Sequence, residues 1–189
     1  MEQANAIELK NITKRFGEVV ANDSVDLSVK HGEILSVLGE NGSGKTTLFN
    51  ILSGIYFDND SFIIVDGERI EDKFNFLYRN IYYVPSELYK LKGTIKDNLS
   101  NYDYCPIENH RLEDDVKSLS SGETKKLQLL LSLNRKEKII IYDEPLNYLD
   151  KDKYQDFYKI IEKSRDDGHI VLIASHEKIK DVAYTEVNI

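Results

Sequence analysis

Apolar residues recur along this chain with two periods, and the switching between them outlines a fold. Over Ile7 to Thr13 and again over Ser24 to Val29 apolar and polar residues alternate, as in strands with one buried face. Arg15-Phe16-Gly17-Glu18 lies between them, so the two strands predict an antiparallel N-terminal layer. Ser61 to Val65 reads as a strand ending in the turn Asp66-Gly67. Glu33 to Leu38, Ile81 to Val84, Lys138 to Tyr142 and His169 to Ala174 read as further strands, apolar enough to belong inside a sheet.

Helical spacing appears between them. Leu48, Ile51, Leu52 and Ile55 fall at i, i+3, i+4 and i+7, Thr124 to Leu133 is helical by composition, and Asp152 to Asp167 sets Tyr154, Phe157, Tyr158 and Ile161 on one face before Gly168. Strands alternating with helices predict an α/β fold, a three-layer core around a mostly parallel sheet. The pattern weakens from Thr94 to Val116, which points to a short lobe over about 87–122 within a single domain of residues 1–189.

Composition narrows the partners. The 189 residues are 41% hydrophobic, enough for one core, and carry a formal charge of −8 with no Lys/Arg block, which disfavours nucleic acid or an anionic membrane surface. Cys105 is the only cysteine and has no partner for an internal disulfide, as suits a reducing cytosol. No stretch approaches the roughly 20 apolar residues of a membrane span, and Met1 to Glu8 lacks the basic and apolar regions of a signal peptide. The expectation is a cytoplasmic chain without direct membrane insertion.

The candidate chemistry begins where the strand Ile34 to Leu38 meets the helix pattern. Gly39-Glu40-Asn41-Gly42-Ser43-Gly44-Lys45-Thr46 joins them, followed by Thr47. Its glycines let successive N–H groups turn inward around phosphate oxygens, Lys45 can place an ammonium on the β and γ phosphates, and Thr46 can offer a hydroxyl to Mg²⁺. The helix N-terminus points its positive end at the same charges. A second site follows: Ile139-Ile140-Ile141-Tyr142 ends in Asp143 and Glu144. Asp143 can hold the metal and Glu144 can polarise a water for attack on the γ phosphate. His176, after the strand ending at Ala174, lies on the same predicted rim and makes a γ-phosphate contact plausible.

These residues resemble the ATP-binding-cassette, or ABC-type, ATPases, from Phe16 to His176 and in that family's order. The loop is similar to its Walker A, Asp143-Glu144 to Walker B, Pro145 to Asp150 to the D-loop, and His176 to the H-loop. Leu119-Ser120-Ser121-Gly122-Glu123 resembles the signature motif Leu-Ser-Gly-Gly-Gln; by local chemistry it is also a serine cap with Glu123 at capping-box spacing. The resemblance implies a P-loop NTPase core, ATP and Mg²⁺ as cofactors, and two chains facing head to tail. Each ATP would then lie between one chain's loop and its partner's Ser120 and Gly122. It further implies a homodimer that drives a separately encoded transmembrane permease from the inner face of the cell membrane. An alternative is an ATP-sensing module with little turnover. Phe16 resembles the aromatic that stacks on adenine, or it packs within the N-terminal layer.

Several positions depart from the family pattern. Ile81-Tyr82-Tyr83-Val84-Pro85-Ser86 resembles the Q-loop segment, but Ser86 stands where the family has glutamine, leaving Ser86 or Glu87 to take the metal-side role. Ser121 and Glu123 replace a glycine and a glutamine in the signature. The lobe is short for the family, and tyrosines 82, 83, 89, 102 and 104 crowd it, either as a docking surface or as compositional bias.

Overall fold

The computed structural model of the chain describes residues 5–56, 60–99, 111–133, 135–179 and 184–189. Tyr102, Tyr104 and Cys105 lie outside the described residues. In chain order the elements are β1 (Asn5–Phe16), β2 (Val19–Lys30), β3 (Ile34–Leu38), α1 (Lys45–Leu52), β4 (Phe62–Val65), β5 (Glu68–Arg69), α2 (Lys73–Asn80) and β6 (Ile81–Val84). They continue with α3 (Ile95–Leu99), α4 (Ser121–Leu130), β7 (Ile139–Asp143), α5 (Tyr154–Asp166), β8 (Ile170–Ser175) and β9 (Thr185–Asn188).

The strands form two sheets. One is antiparallel with order β2-β1-β4-β5, and the other has order β6-β7-β8-β3-β9 with every pair parallel. The parallel strands are apolar throughout because both faces are covered. Leu35, Val37, Ile139, Ile141 and Leu172 point into a core shared with α1 and the antiparallel sheet, through Leu48, Phe49, Ile7 and Leu27. The alternate residues Ile34, Ile140, Tyr142 and Ile173 meet α4 and α5 through Leu127, Leu130, Phe157 and Ile161. Three layers therefore follow from the period-two pleat of one sheet.

The predicted strands and the main helices are present, with adjusted ends. The β1–β2 hairpin is tighter than a four-residue turn, since Phe16 still pairs with Val19 and only Gly17-Glu18 turn. Helix α1 stops at Leu52: the Ser53 N–H donates to Phe49, and Gly54 takes φ +77. Ile55 therefore leaves the apolar face on which the sequence spacing set it and is 55% exposed. Helix α4 begins three residues earlier than composition suggested, because Ser120 caps it. Three elements had no strong periodicity to announce them. Helix α2 buries only Leu77 and starts from an Asp72 cap, α3 starts from reciprocal Thr94–Asp97 bonds, and β9 is a partly exposed edge strand on β3.

A buried polar group ties the sheet to its helices. The Tyr142 hydroxyl lies 2.6 Å from Ser132 Oγ and 3.2 Å from Ser164 Oγ, and burial pushes its phenol up to about 12. An unfolded phenol titrates near about 10, so as pH rises the unfolded chain loses this proton first. The stabilisation is complete below that value and is lost progressively as pH climbs towards about 12. Tyr142→Phe is expected to cost about 1 kcal/mol at neutral pH, because both serines keep donating to the Leu129 and Ile160 carbonyls. Denaturant melts across the alkaline range should show a shallower decline in the Phe variant; equal slopes would refute the assignment.

Candidate nucleotide site

Strand register assembles the site before any side chain is considered. Leu38 pairs with Ser175, and Ala174 with Asp143, so the carboxyl ends of β3, β8 and β7 lie abreast. The segment 39–44 leaves β3 at this rim, Glu144 follows β7, and His176 follows β8. Open parallel sheets place ligand chemistry at such an edge.

The loop's backbone is shaped by its glycines. Gly42 takes φ +87 at the exposed tip beside Asn41, and the Ser43 N–H closes a turn onto the Glu40 carbonyl at 3.2 Å. Gly44, at φ +101, caps α1; a Cβ there would stand 2.2 Å from the Ala21 carbonyl oxygen. Lys45 opens the helix and is almost fully buried. Its Nζ donates to the carbonyls of Gly39 (2.7 Å) and Glu40 (3.0 Å) and pairs with Glu144 at 3.5 Å. Thr46 and Thr47 complete the first turn, and Ser43 Oγ is buried with no partner among the described residues.

Across the rim, Asp143 is fully buried. Thr46 donates to its Oδ1 at 3.4 Å and the Tyr83 hydroxyl to its Oδ2 at 2.9 Å. Burial pushes the Asp143 carboxyl up, while the Tyr83 and Thr46 hydrogen bonds pull it back. Glu144 adopts φ +43, a left-handed backbone rare outside glycine, while its N–H still donates to the Ala174 carbonyl. Its carboxylate stands between Lys45 and His176, whose Nδ1 lies 2.8 Å from Oε2. Those two contacts fix the orientation of the Glu144 carboxylate. At Ser86 the backbone carbonyl is engaged, accepting from Lys125, and Tyr83 is the β6 side chain that reaches Asp143.

The signature-like residues make a different set of contacts. Ser120 caps α4 and forms the full capping box with Glu123: its N–H and Oγ donate to Oε2 at 2.9 and 2.8 Å. Arg111 binds the other oxygen of Glu123 and holds that carboxyl low, at about 2. Gly122 passes close to the Tyr148 carbonyl; a Cβ would lie 3.0 Å from it. Phe16 ends β1, 46% exposed, edge-on to Tyr56 at 5.5 Å with Lys14 nearby, so it packs on a neighbour and still offers an open face. Tyr83 and Lys125 are participants that sequence reasoning missed. A tyrosine in an apolar strand looks like packing, and only the parallel pairing of Tyr83 with Ile141 sets its hydroxyl beside Asp143.

The residues fit a nucleotide with a hard cation. The loop supplies the orphaned Ser43 hydroxyl and the Lys45 ammonium, and Asp143 with Thr46 supplies oxygen donors of the kind Mg²⁺ takes. Among the described residues no group of three or more His, Cys, Asp or Glu is placed to hold a metal ion.

The sequence model of a family described as ABC transporter matches residues 22–147. The chain is 30% identical to a ribose import ATP-binding protein, RbsA, of Clostridium tetani, over 93% of this chain and 40% of the relative. It is also 30% identical to a galactose/methyl galactoside import ATP-binding protein, MglA, of Clostridium perfringens, over 93% of this chain and 39% of the relative. The chain thus spans about two fifths of the length of these curated relatives. A dimeric ATP-binding cassette solved in a post-hydrolysis state with ADP and Pi superimposes with a TM-score of 0.70 at 22% identity, covering 90% of this chain and 88% of that one.

Two substitutions test the loop. Gly44→Ala should destabilise the protein by about 1–3 kcal/mol in a nucleotide-free melt, since strain and the Ala21 clash coincide. Lys45→Ala should weaken binding of a fluorescent ATP analogue by about ten- to a hundredfold, the worth of its charge-assisted bonds, with the melt showing that the fold survives.

Proposed function

Because this chain belongs to the ABC transporter family, we propose that it binds and hydrolyses ATP as the energy-supplying subunit of a membrane transporter. One observation carries the reading: Lys45, Thr46, Asp143, Glu144 and His176, distant in sequence, meet at one rim of the parallel sheet. Residues 39–47 cradle the phosphates, with Lys45 exchanging its carbonyl partners for phosphate oxygens. Thr46 and Asp143 would hold Mg²⁺, with Ser86 on the metal side, and the cation when bound would supply positive charge against the phosphates. Glu144 takes a proton from the attacking water, and His176 orients Glu144 and the γ phosphate. Phe16 offers its open face to the adenine.

Ser120 and Gly122 act on the ATP of a second copy of the chain, since the start of α4 supplies donors suited to a terminal phosphate. That the relatives are import ATP-binding proteins favours a separate membrane subunit as the other partner. No helix among the described residues is long and apolar enough to cross a membrane, so in this reading the chain works at the cytoplasmic face through that subunit. One contact favours a slower, sensing role: the Ser120 hydroxyl is already engaged by Glu123.

Glu144→Gln is expected to retain ATP, lose hydrolysis by at least about a hundredfold, and accumulate as a dimer in Mg-ATP on size-exclusion chromatography. Hydrolysis at the parental rate would show that Glu144 is not the base. Parental turnover that rises steeply with protein concentration supports the dimeric ATPase, whereas tight binding with negligible turnover supports the sensor.

A further inference from the structure

Lys125 lies on α4, five residues past its serine cap, and is 0% exposed. A buried ammonium needs acceptors on its donors. Two are backbone carbonyls, Pro85 at 2.8 Å and Ser86 at 3.2 Å; burial lowers the ammonium's pKa to about 8, and the carboxylates of Asp143 and Glu144 oppose that shift. Gln128, also 0% exposed, donates to the Tyr89 carbonyl at 3.1 Å. Its Oε1 has no partner among the described residues, so this glutamine is kept at a cost that an apolar residue would avoid.

Residues 85–89 have left the sheet: Val84 is the last of β6 to pair, opposite Tyr142, one residue before Asp143. Their carbonyls are instead fastened to α4. That helix has Ser120 as its cap and Gly122 in its first turn, so the two buried side chains bridge the metal side of one site and the surface offered to another.

We propose that Lys125, seconded by Gln128, is a positioning residue that locks the start of α4 to residues 85–89, so that Ser120 and the Asp143 side of the nucleotide site move as one body. The effect of this tether on the dimer rests on the function proposed above; the tether itself can be tested without nucleotide.

Lys125→Met keeps the stem and removes the donors. In nucleotide-free protein, amide hydrogen exchange should quicken by about tenfold or more both at 86–89 and in the first turn of α4, and Gln128→Leu should loosen the same two segments by less. ATP affinity of the single chain should stay within about threefold, whereas the Mg-ATP dimer of Glu144→Gln should weaken about tenfold when Lys125→Met is added. A plug that merely fills the core would lower the melting temperature without quickening exchange in both segments, and that result overturns the proposal. So does a combined variant that dimerises as tightly as Glu144→Gln alone. If Glu144→Gln alone forms no dimer, the functional reading fails while the exchange data still decide the tether. Should Lys125→Met not fold, Gln128→Leu decides by the same exchange criterion.

Discussion

Three parallel strands, β3, β8 and β7, stop at the same height because their ladders run in register, Leu38 beside Ser175 and Ala174 beside Asp143. Each strand is buried on both faces, so a slip would need two cores to be repacked. The whole candidate site hangs on that alignment. The loop, Glu144 and His176 all leave from the ends of these strands, and a one-residue slip of β7 would turn Asp143 to the opposite face. The polar machinery thus borrows its precision from apolar packing beneath it.

That division explains what was legible in the sequence. The parallel strands are continuous apolar runs and the loop is a short motif, so both could be read directly. Lys45, Thr46, Asp143, Glu144 and His176 were readable as candidates because each directly follows a recognisable strand or motif. Tyr83 and Lys125 were not. Their relevance arises from partners far away in the chain, Asp143 for one and the Pro85 and Ser86 carbonyls for the other. Helices α2 and α3 escaped for another reason: capping side chains define them more than apolar spacing does. Ile55 shows the converse, since its spacing fits a helix that has already ended at Ser53.

Charge is arranged in two ways on the two surfaces around the site. Near the phosphate loop Lys45, Glu144 and Asp143 are largely buried, Lys45 paired with Glu144 and Asp143 with two hydroxyls, while the exposed His176 reaches Glu144 from the rim. The buried Lys45–Glu144 pair keeps its strength in salt. At the start of α4 the Arg111–Glu123–Ser120 group is partly exposed, where solvent and ions screen it and each contact is worth little alone. Contacts at this face can therefore be exchanged at little cost.

The neighbours Ser121 and Gly122 illustrate how unequally adjacent positions can drift. Ser121 faces solvent, and nothing prevents a side chain there. At Gly122 a Cβ would press on the Tyr148 carbonyl at 3.0 Å. Sequence change can thus pass through position 121 without disturbing its own chain, whereas at 122 it would wedge α4 away from the turn that follows Glu144. Of the two small residues in this motif, only the second is held in place by the protomer's own anatomy, independently of any ligand it meets.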